Sequence, residues 1–340
     1  MAPKSLELAP DSYRFLRSQC EKQVPIPSDI SLAGGTIIIT GGNTGLGYAT
    51  GETFLSMNLS RLIIAVRTPS KGEAAAAKLR AKYPNAQVDV WKVDMISHKS
   101  VQDFVDKCET LDRIDLALLN AGTQMLTFEK SPQGHETSFQ VNYLSTILLA
   151  TLLLPILKQK SPPGKPGRLT IVSSGTALMA EYPSAKNERV LPYYEDEANF
   201  SRPNPTPTYG AHKGLAHFWI VKLAERVKAD DVVVNLVDPG LVKDTALQDQ
   251  GNILWRSMGR AIKSIIGRTL EQGASTFVQA GVVMGKESHG SYIMDWRIHH
   301  YTQLLHTASG LAFADKVWNE TYELLSLDVN STLNSLRGGK

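Results

Sequence analysis

A chain of 340 residues with 42% hydrophobic and 20% charged side chains can bury a large core without disulfides or metals, and this composition excludes disorder, collagen and coiled coil. Its 36 Lys and Arg against 33 Asp and Glu leave a formal charge of +3, too small and too evenly scattered for a nucleic-acid footprint. Only Cys20 and Cys108 are present, without metal-ligand spacing, and residues 1–10 carry two prolines and a charge pair rather than an apolar signal stretch, so a cytoplasmic location is expected.

Residues 1–30 read as an extension holding one helix, Asp11 to Gln23. From Thr36 onward short β-branched runs alternate with longer helical stretches, the pattern of βαβ units around a parallel sheet. Strands are predicted at Thr36 to Thr40, Arg61 to Val66, Gln87 to Asp94, Ile114 to Asn120, Arg168 to Ser173, Val232 to Asp238 and, more weakly, Ser291 to Met294. Lys71 to Tyr83, rich in Ala and followed by Pro84, suits a helix and its stop. The fold class is therefore α/β: a doubly wound, Rossmann-type parallel sheet of about seven strands with helices on both faces, in one domain over residues 31–340. The most apolar run, Tyr143 to Leu157, falls short of the roughly 18 residues a spanning helix needs and contains Pro155, so it reads as a core helix and no membrane span is expected.

Two segments break the alternation. Gly175 to Thr208 holds five prolines, Pro183, Pro192, Pro203, Pro205 and Pro207, and reads as a long loop inserted before a helix. Leu241 to Arg268 is helical in pattern but follows a strand end, where open α/β sheets place their ligand crevice. Trp255, Met258 and Ile262 at helical spacing there suit core packing.

The first strand runs into Gly41-Gly42-Asn43-Thr44-Gly45-Leu46-Gly47 and then a helix. Glycines at such a strand-to-helix turn let backbone N–H groups and the helix N-terminus approach a pyrophosphate, although a glycine-rich turn without a ligand has the same form. A carboxylate at the end of the second strand would bind a ribose 2′-hydroxyl, whereas this chain has Arg67 there and Lys71 one turn on. Two cations converging on a 2′-phosphate favour NADP(H), and isolated solvated charges are the alternative. Asp94, ending the third strand, is either an adenine contact or a strand cap.

Tyr209-Gly210-Ala211-His212-Lys213 opens a helix that places the phenol and the ammonium on one face, where a cation is expected to lower the phenol pKa and make it a usable acid or base. His212 reads as a packed or exposed helix residue. His299, His300 and His306 lack Cys or acidic partners at metal spacing and read as a surface or C-terminal helix, so no metal is proposed.

Together these motifs resemble the short-chain dehydrogenase/reductase family over Thr36 to Met294. The family's glycine motif falls on Gly41, Gly45 and Gly47, its strand-end Asn-Ala-Gly on Asn120, Ala121 and Gly122, and its helix asparagine on Asn142. Its catalytic serine falls on the Ser173-Ser174 pair, of which Ser174, past the strand, is chosen. Its proline-glycine turn falls on Pro239-Gly240, followed by Val242 and Thr245. The resemblance implies catalytic roles for Ser174, Tyr209, Lys213 and Asn142. It also implies a substrate lid over 241–268, as an alternative to core packing there, and cofactor contacts at Gly41, Asn43, Gly45, Leu46, Gly47, Arg67, Lys71, Asp94, Asn120, Tyr209, Lys213, Val242 and Thr245.

Tyr209 follows Ser174 at a much longer interval than in compact members, so the 175–208 insertion resembles the longer members, including carbonyl reductases and retinol dehydrogenases. The implied activity is reversible hydride transfer between NADPH and a carbonyl or alcohol carbon of a small organic substrate. The general resemblance is to reductases acting on polyketide or terpenoid intermediates of fungal secondary metabolism. The alternative is a non-redox NADP(H)-binding protein serving as scaffold or cyclisation catalyst. Apolar residues on more than one face of Leu144 to Leu157 and His217 to Val227 suggest a homodimer interface unless the insertion covers it.

Overall fold

The computed structural model describes residues 2–11, 14–201, 206–243 and 267–338. Its centre is β1 (Thr36–Thr40), whose five residues, all β-branched isoleucines and threonines, are all buried. β1 pairs in parallel with β2 (Arg61–Val66) on one side and β4 (Leu116–Leu119) on the other. Outward from these lie β3 (Gln87–Lys92), β5 (Gly167–Val172), β6 (Val232–Val237) and β7 (Tyr292–Met294), all parallel. The order among the described residues is β3-β2-β1-β4-β5-β6-β7-β8, with the reversal of winding between β1 and β4. That reversal opens a crevice at the C-terminal strand ends.

An eighth strand, β8 (Arg297–His299), adds to the expected seven and runs antiparallel to β7. The two-residue turn before it holds Asp295 and Trp296 at φ of 52° and 61°, the geometry of a tight hairpin. Three residues with mixed exposure carry no periodic signal, which is why the sequence pattern is silent there.

The helices in chain order are α1 (Arg14–Ser18), α2 (Gly45–Ser56), α3 (Pro69–Lys82), α4 (His98–Glu109), α5 (Thr137–Gln159), α6 (Thr206–Ala224), α7 (Leu270–Val278), α8 (Ala308–Leu324) and α9 (Val329–Gly338). Helix α1 is far shorter than the expected Asp11 to Gln23. Helix α5 is long and apolar enough to cross a membrane, but 89% of its apolar window is buried inside the protein, as a core helix requires. A π-turn at Gln140–Leu144 interrupts it.

The apolar faces of α5 and α6 that suggested a second subunit are covered by the same chain. Trp219 stacks on Trp318 with ring centroids 6.3 Å apart, and Phe218 meets Phe313 edge-on at 4.7 Å. Tyr143 and Thr151 on α5 hydrogen-bond Thr321 (2.7 Å) and Tyr322 (2.9 Å) on α8, while α9 packs along α5. The insertion forms successive 3-10 turns, and buried Glu320 of α8 accepts the backbone N–H groups of Val190 and Leu191 at 2.9 Å.

Candidate active site

On the nucleotide side, the turn after β1 is locked to the end of β4. Asn120 Nδ2 donates to the Thr40 carbonyl (2.9 Å) and the Gly41 carbonyl (3.3 Å), and the Ala121 N–H donates to Thr40 Oγ1 (2.9 Å). Gly47 must lack a side chain, because a Cβ there would lie 2.5 Å from the Gly41 carbonyl oxygen. Gly45 holds φ at +53°, and a Cβ on it would meet no atom within 4 Å, so the turn faces open space. Thr44, at the N-cap of α2, makes no side-chain cap bond, which leaves the first N–H groups of the helix available to an anion. Asn43 and Leu46 are partly buried in the same turn.

Arg67 follows β2 directly and Lys71 lies in the first turn of α3; both are exposed, and no ion pair among the described residues includes either. Asp94 is half-buried, and its Oδ1 accepts the Ile96 N–H at 3.3 Å, the geometry of a local cap. Val242 is buried and forms an isolated parallel bridge with Arg268. Thr245 and most of the 241–268 segment, with Trp255, Met258 and Ile262, lie outside the described residues.

Across the crevice, the structure separates the two serines. Ser173 is buried and shares a hydrogen bond with His217 Nε2 at 3.1 Å, whereas Ser174 is partly exposed just past β5. Ser174 Oγ accepts from Thr176 Oγ1 at 2.9 Å and caps a 3-10 turn over Gly175–Met179. The start of α6 is seated on that turn: a Cβ at Gly210 would lie 2.8 Å from the Thr176 carbonyl oxygen. Tyr209 is thereby held beside the Ser174 turn.

Lys213, only 3% exposed, donates from Nζ to the Val172 carbonyl at 2.8 Å, and Nζ stands 6.0 Å from the centroid of the Tyr209 ring. A Cβ on Gly122 would lie 3.0 Å from Asn142 Oδ1 and 3.3 Å from Lys213 Nζ, so these three residues share one corner. Asn142, inside the π-turn, is fixed by Thr123, whose N–H it accepts (2.9 Å) and whose carbonyl it donates to (2.6 Å). π-Turns are frequent at functional sites because they re-aim one side chain without ending the helix.

The electrostatics differ from the expectation at one point. Burial pushes the Tyr209 phenol up rather than down, and the Asp238 carboxylate pushes it further. Lys213 does not offset this, since its ammonium is drawn to the Val172 carbonyl and burial pulls its own pKa down to about 8. Asp238, which the sequence reading did not single out, is buried at the end of β6, and burial pushes its carboxyl up to about 6.

His212 is fully buried between the rings of Phe139 and Tyr194, and burial, then Lys213, push it down to about 3, so it is a neutral packed residue. His299, His300 and His306 do not share a helix. They lie on β8, just after it, and in a 3-10 turn, and buried His300 accepts the Asp11 N–H at 3.1 Å. Among the described residues no three His, Cys, Asp or Glu side chains gather as a metal site.

The short chain dehydrogenase family model matches residues 35–187. A short chain dehydrogenase/reductase of Annulohypoxylon moriforme, mfmJ, is 43% identical, covering 99% of this chain and 98% of its own. The short chain dehydrogenase virL of Hypocrea virens is 38% identical over 95% of this chain and 94% of its own. Among solved structures, a putative uncharacterized protein from Mycobacterium Paratuberculosis superposes with a TM-score of 0.61 at 21% identity, covering 88% of this chain and 96% of that one. L-sorbose reductase from Gluconobacter frateurii, complexed with NADPH and L-sorbose, gives 0.60 at 20% identity, covering 78% and 97%. With one full-length relative at 43% identity and another at 38%, the chain is an enzyme of the short chain dehydrogenase family.

Proposed function

We propose that this chain is an NADP(H)-dependent oxidoreductase that interconverts a ketone and its alcohol on a small organic substrate, of the polyketide or terpenoid class that the family resemblance implies. The observation that supports the proposal is that the start of α6, which carries Tyr209 and Lys213, is seated on the turn after Ser174, with Lys213 Nζ donating to the Val172 carbonyl at the end of β5. The residues present fit the dinucleotide. The space that side chains at Gly45 and Gly47 would alter, with the uncapped N-terminus of α2, suits a pyrophosphate, and Arg67 with Lys71 suits a 2′-phosphate. Solved relatives that carry NADPH or NADP in their titles support the same choice.

NADPH, when bound, supplies the reducing equivalent. The chain's part is to orient and to move protons. Ser174 Oγ, held at the mouth of the 3-10 turn, donates to the substrate carbonyl oxygen and polarises it. Tyr209, kept as a phenol by burial, gives its proton to that oxygen in reduction and takes one back in oxidation. Lys213, with a pKa near neutrality, binds the nicotinamide ribose and returns a proton to Tyr209, and Asn142 at the same corner connects Lys213 outward. Cys20 and Cys108 are free thiols, as a cytoplasmic enzyme would have.

Absorbance of reduced nicotinamide in the presence of a panel of ketones, and of NADP with the matching alcohols, tests the proposal. Steady substrate-dependent consumption of NADPH is expected. Binding of NADPH without consumption across the panel would contradict it and favour a non-redox scaffold.

A further inference from the structure

The chain ahead of β1 lies outside the segment that the family model matches, which begins at residue 35, yet it is built into the fold. Ser5 Oγ accepts the Tyr292 N–H of β7 at 2.9 Å, and the Asp11 N–H donates to His300 Nε2 at 3.1 Å. Further along, α1 packs on Gly175–Met179, the 3-10 turn that Ser174 caps. At the end of α1, Gln19 Oε1 accepts the Leu241 N–H at 3.3 Å. Beside it, Ser18 receives Arg268 Nη2 on its carbonyl at 2.9 Å and on its Oγ at 3.4 Å.

Leu241 and Arg268 are the two sides of one seam. The Arg268 N–H donates to the Leu241 carbonyl at 2.7 Å and the Lys243 N–H to the Arg268 carbonyl at 2.9 Å, so the chain leaving β6 is stitched to the chain entering α7. This seam borders both halves of the site. On one side Asp238, three residues before Leu241, accepts the Gly175 N–H on Oδ1 at 2.8 Å, next to Ser174. On the other, a Cβ on Gly273 of α7 would lie 2.8 Å from Val242 Cγ2 and 2.6 Å from Leu46 Cδ2 in the glycine turn. Asp295, fully buried in the β7–β8 turn, draws the extension to the seam, since its carboxylate takes Arg14 of α1, Arg268 and Ser18 Oγ (2.6 Å) together. A buried ionic network of this kind adds little net stability and serves best to fix one register, here that of α1 on the seam.

We propose that the N-terminal extension is a working wall of the active site: Gln19 and Ser18 are positioning residues that hold the seam after β6 beside the Ser174 turn and so set how the ketone is seated. The inference rests on the role given to Ser174 above. Gln19 reaches the seam through its side chain, so shortening its hydrogen-bonding capacity frees the Leu241 N–H without altering Ser174, Tyr209 or Lys213. Ser5 fastens the same extension to β7 through a bond that does not involve the seam, which makes it the control.

The test is steady-state reduction of one ketone at saturating NADPH by the full-length parent, Gln19→Met and Ser5→Ala, with urea unfolding of each. Gln19→Met keeps the length of the side chain and removes the acceptor. Its ketone KM is expected to rise by about three- to tenfold, the effect of losing one neutral hydrogen bond, with kcat within about twofold of the parent. Ser5→Ala is expected to lower the urea midpoint while its KM and kcat stay within about twofold. An unchanged ketone KM in Gln19→Met overturns the inference. An equal rise of KM in Ser5→Ala overturns it too, because the extension would then act by general stability rather than at the seam. If Gln19→Met does not fold, Ser18→Ala, which loses the hydroxyl contacts to Asp295 and Arg268, is read in the same way. Should the parent consume no NADPH with any ketone, the functional proposal itself fails; should the parent turn over and Gln19→Met match it, only this inference fails.

Discussion

Replacing Lys213 by Met should make the protein more stable as it makes it inactive. Lys213 is 3% exposed, and burial takes its pKa from the ordinary 10.5 to about 8. At about 1.4 kcal/mol per pH unit, carrying that ammonium below pH 8 costs the folded state roughly 3 kcal/mol. Because the folded pKa is depressed, the folded state recovers stability as pH rises from about 8 toward 10.5, and the cost is complete below 8. Against this, Met leaves the Val172 carbonyl without the 2.8 Å bond from Nζ, a loss of about 1–2 kcal/mol. The net expectation for Lys213→Met at pH 7 is a gain of about 1–2 kcal/mol, vanishing by pH 10, where the parent's cost has fallen to about 1 kcal/mol. Urea unfolding at the two pH values reads the difference, and steady-state reduction should show kcat lower by about two orders of magnitude. A variant less stable than the parent by more than about 1 kcal/mol at pH 7 would refute the account of a buried, strained charge. Parent-like turnover would refute its place in the site.

Arg67→Asp should move cofactor preference toward NADH by about tenfold or more, since it replaces a free cation at the end of β2 by the ribose-binding carboxylate; an unchanged ratio of NADPH to NADH efficiency removes Arg67 from the 2′-phosphate site. Sedimentation equilibrium should give a monomer, because α8 and α9 occupy the surfaces of α5 and α6 through which a second subunit would pack. A dimer at micromolar concentration would mean that another face carries the contact.

What the sequence disclosed and what it withheld follow the range of the interactions involved. The first six strands are runs rich in apolar and β-branched residues, and they sit within about two residues of the ranges predicted for them. β8 escaped because its three residues are exposed or half-buried and it exists only by folding back on β7. The dimer expectation came from apolar residues on more than one face of two helices, a pattern that cannot say whether the cover comes from a partner or from residues 308–338 of the same chain.

At the site, four-residue spacing put Tyr209 and Lys213 on one helix face. It could not show that Nζ reaches for the Val172 carbonyl, which inverted the expected effect on the phenol. Asp238 was visible as the residue before Pro239-Gly240, but its weight comes from Gly175, 63 positions away, and from burial by β7. No local pattern encodes such a meeting. The Gly175 to Thr208 insertion was legible as irregular from its prolines, whereas its anchor on Glu320, 130 positions from Val190, was not.

The central claim is that Tyr209 delivers the proton that completes ketone reduction at a site where NADPH is already held. The most direct test is NADPH binding and single-turnover NADPH oxidation measured side by side for the parent and Tyr209→Phe with one reactive ketone. The predicted result is an NADPH dissociation constant within about twofold of the parent and oxidation slower by about a hundredfold or more. Oxidation at the parental rate by Tyr209→Phe would contradict the account.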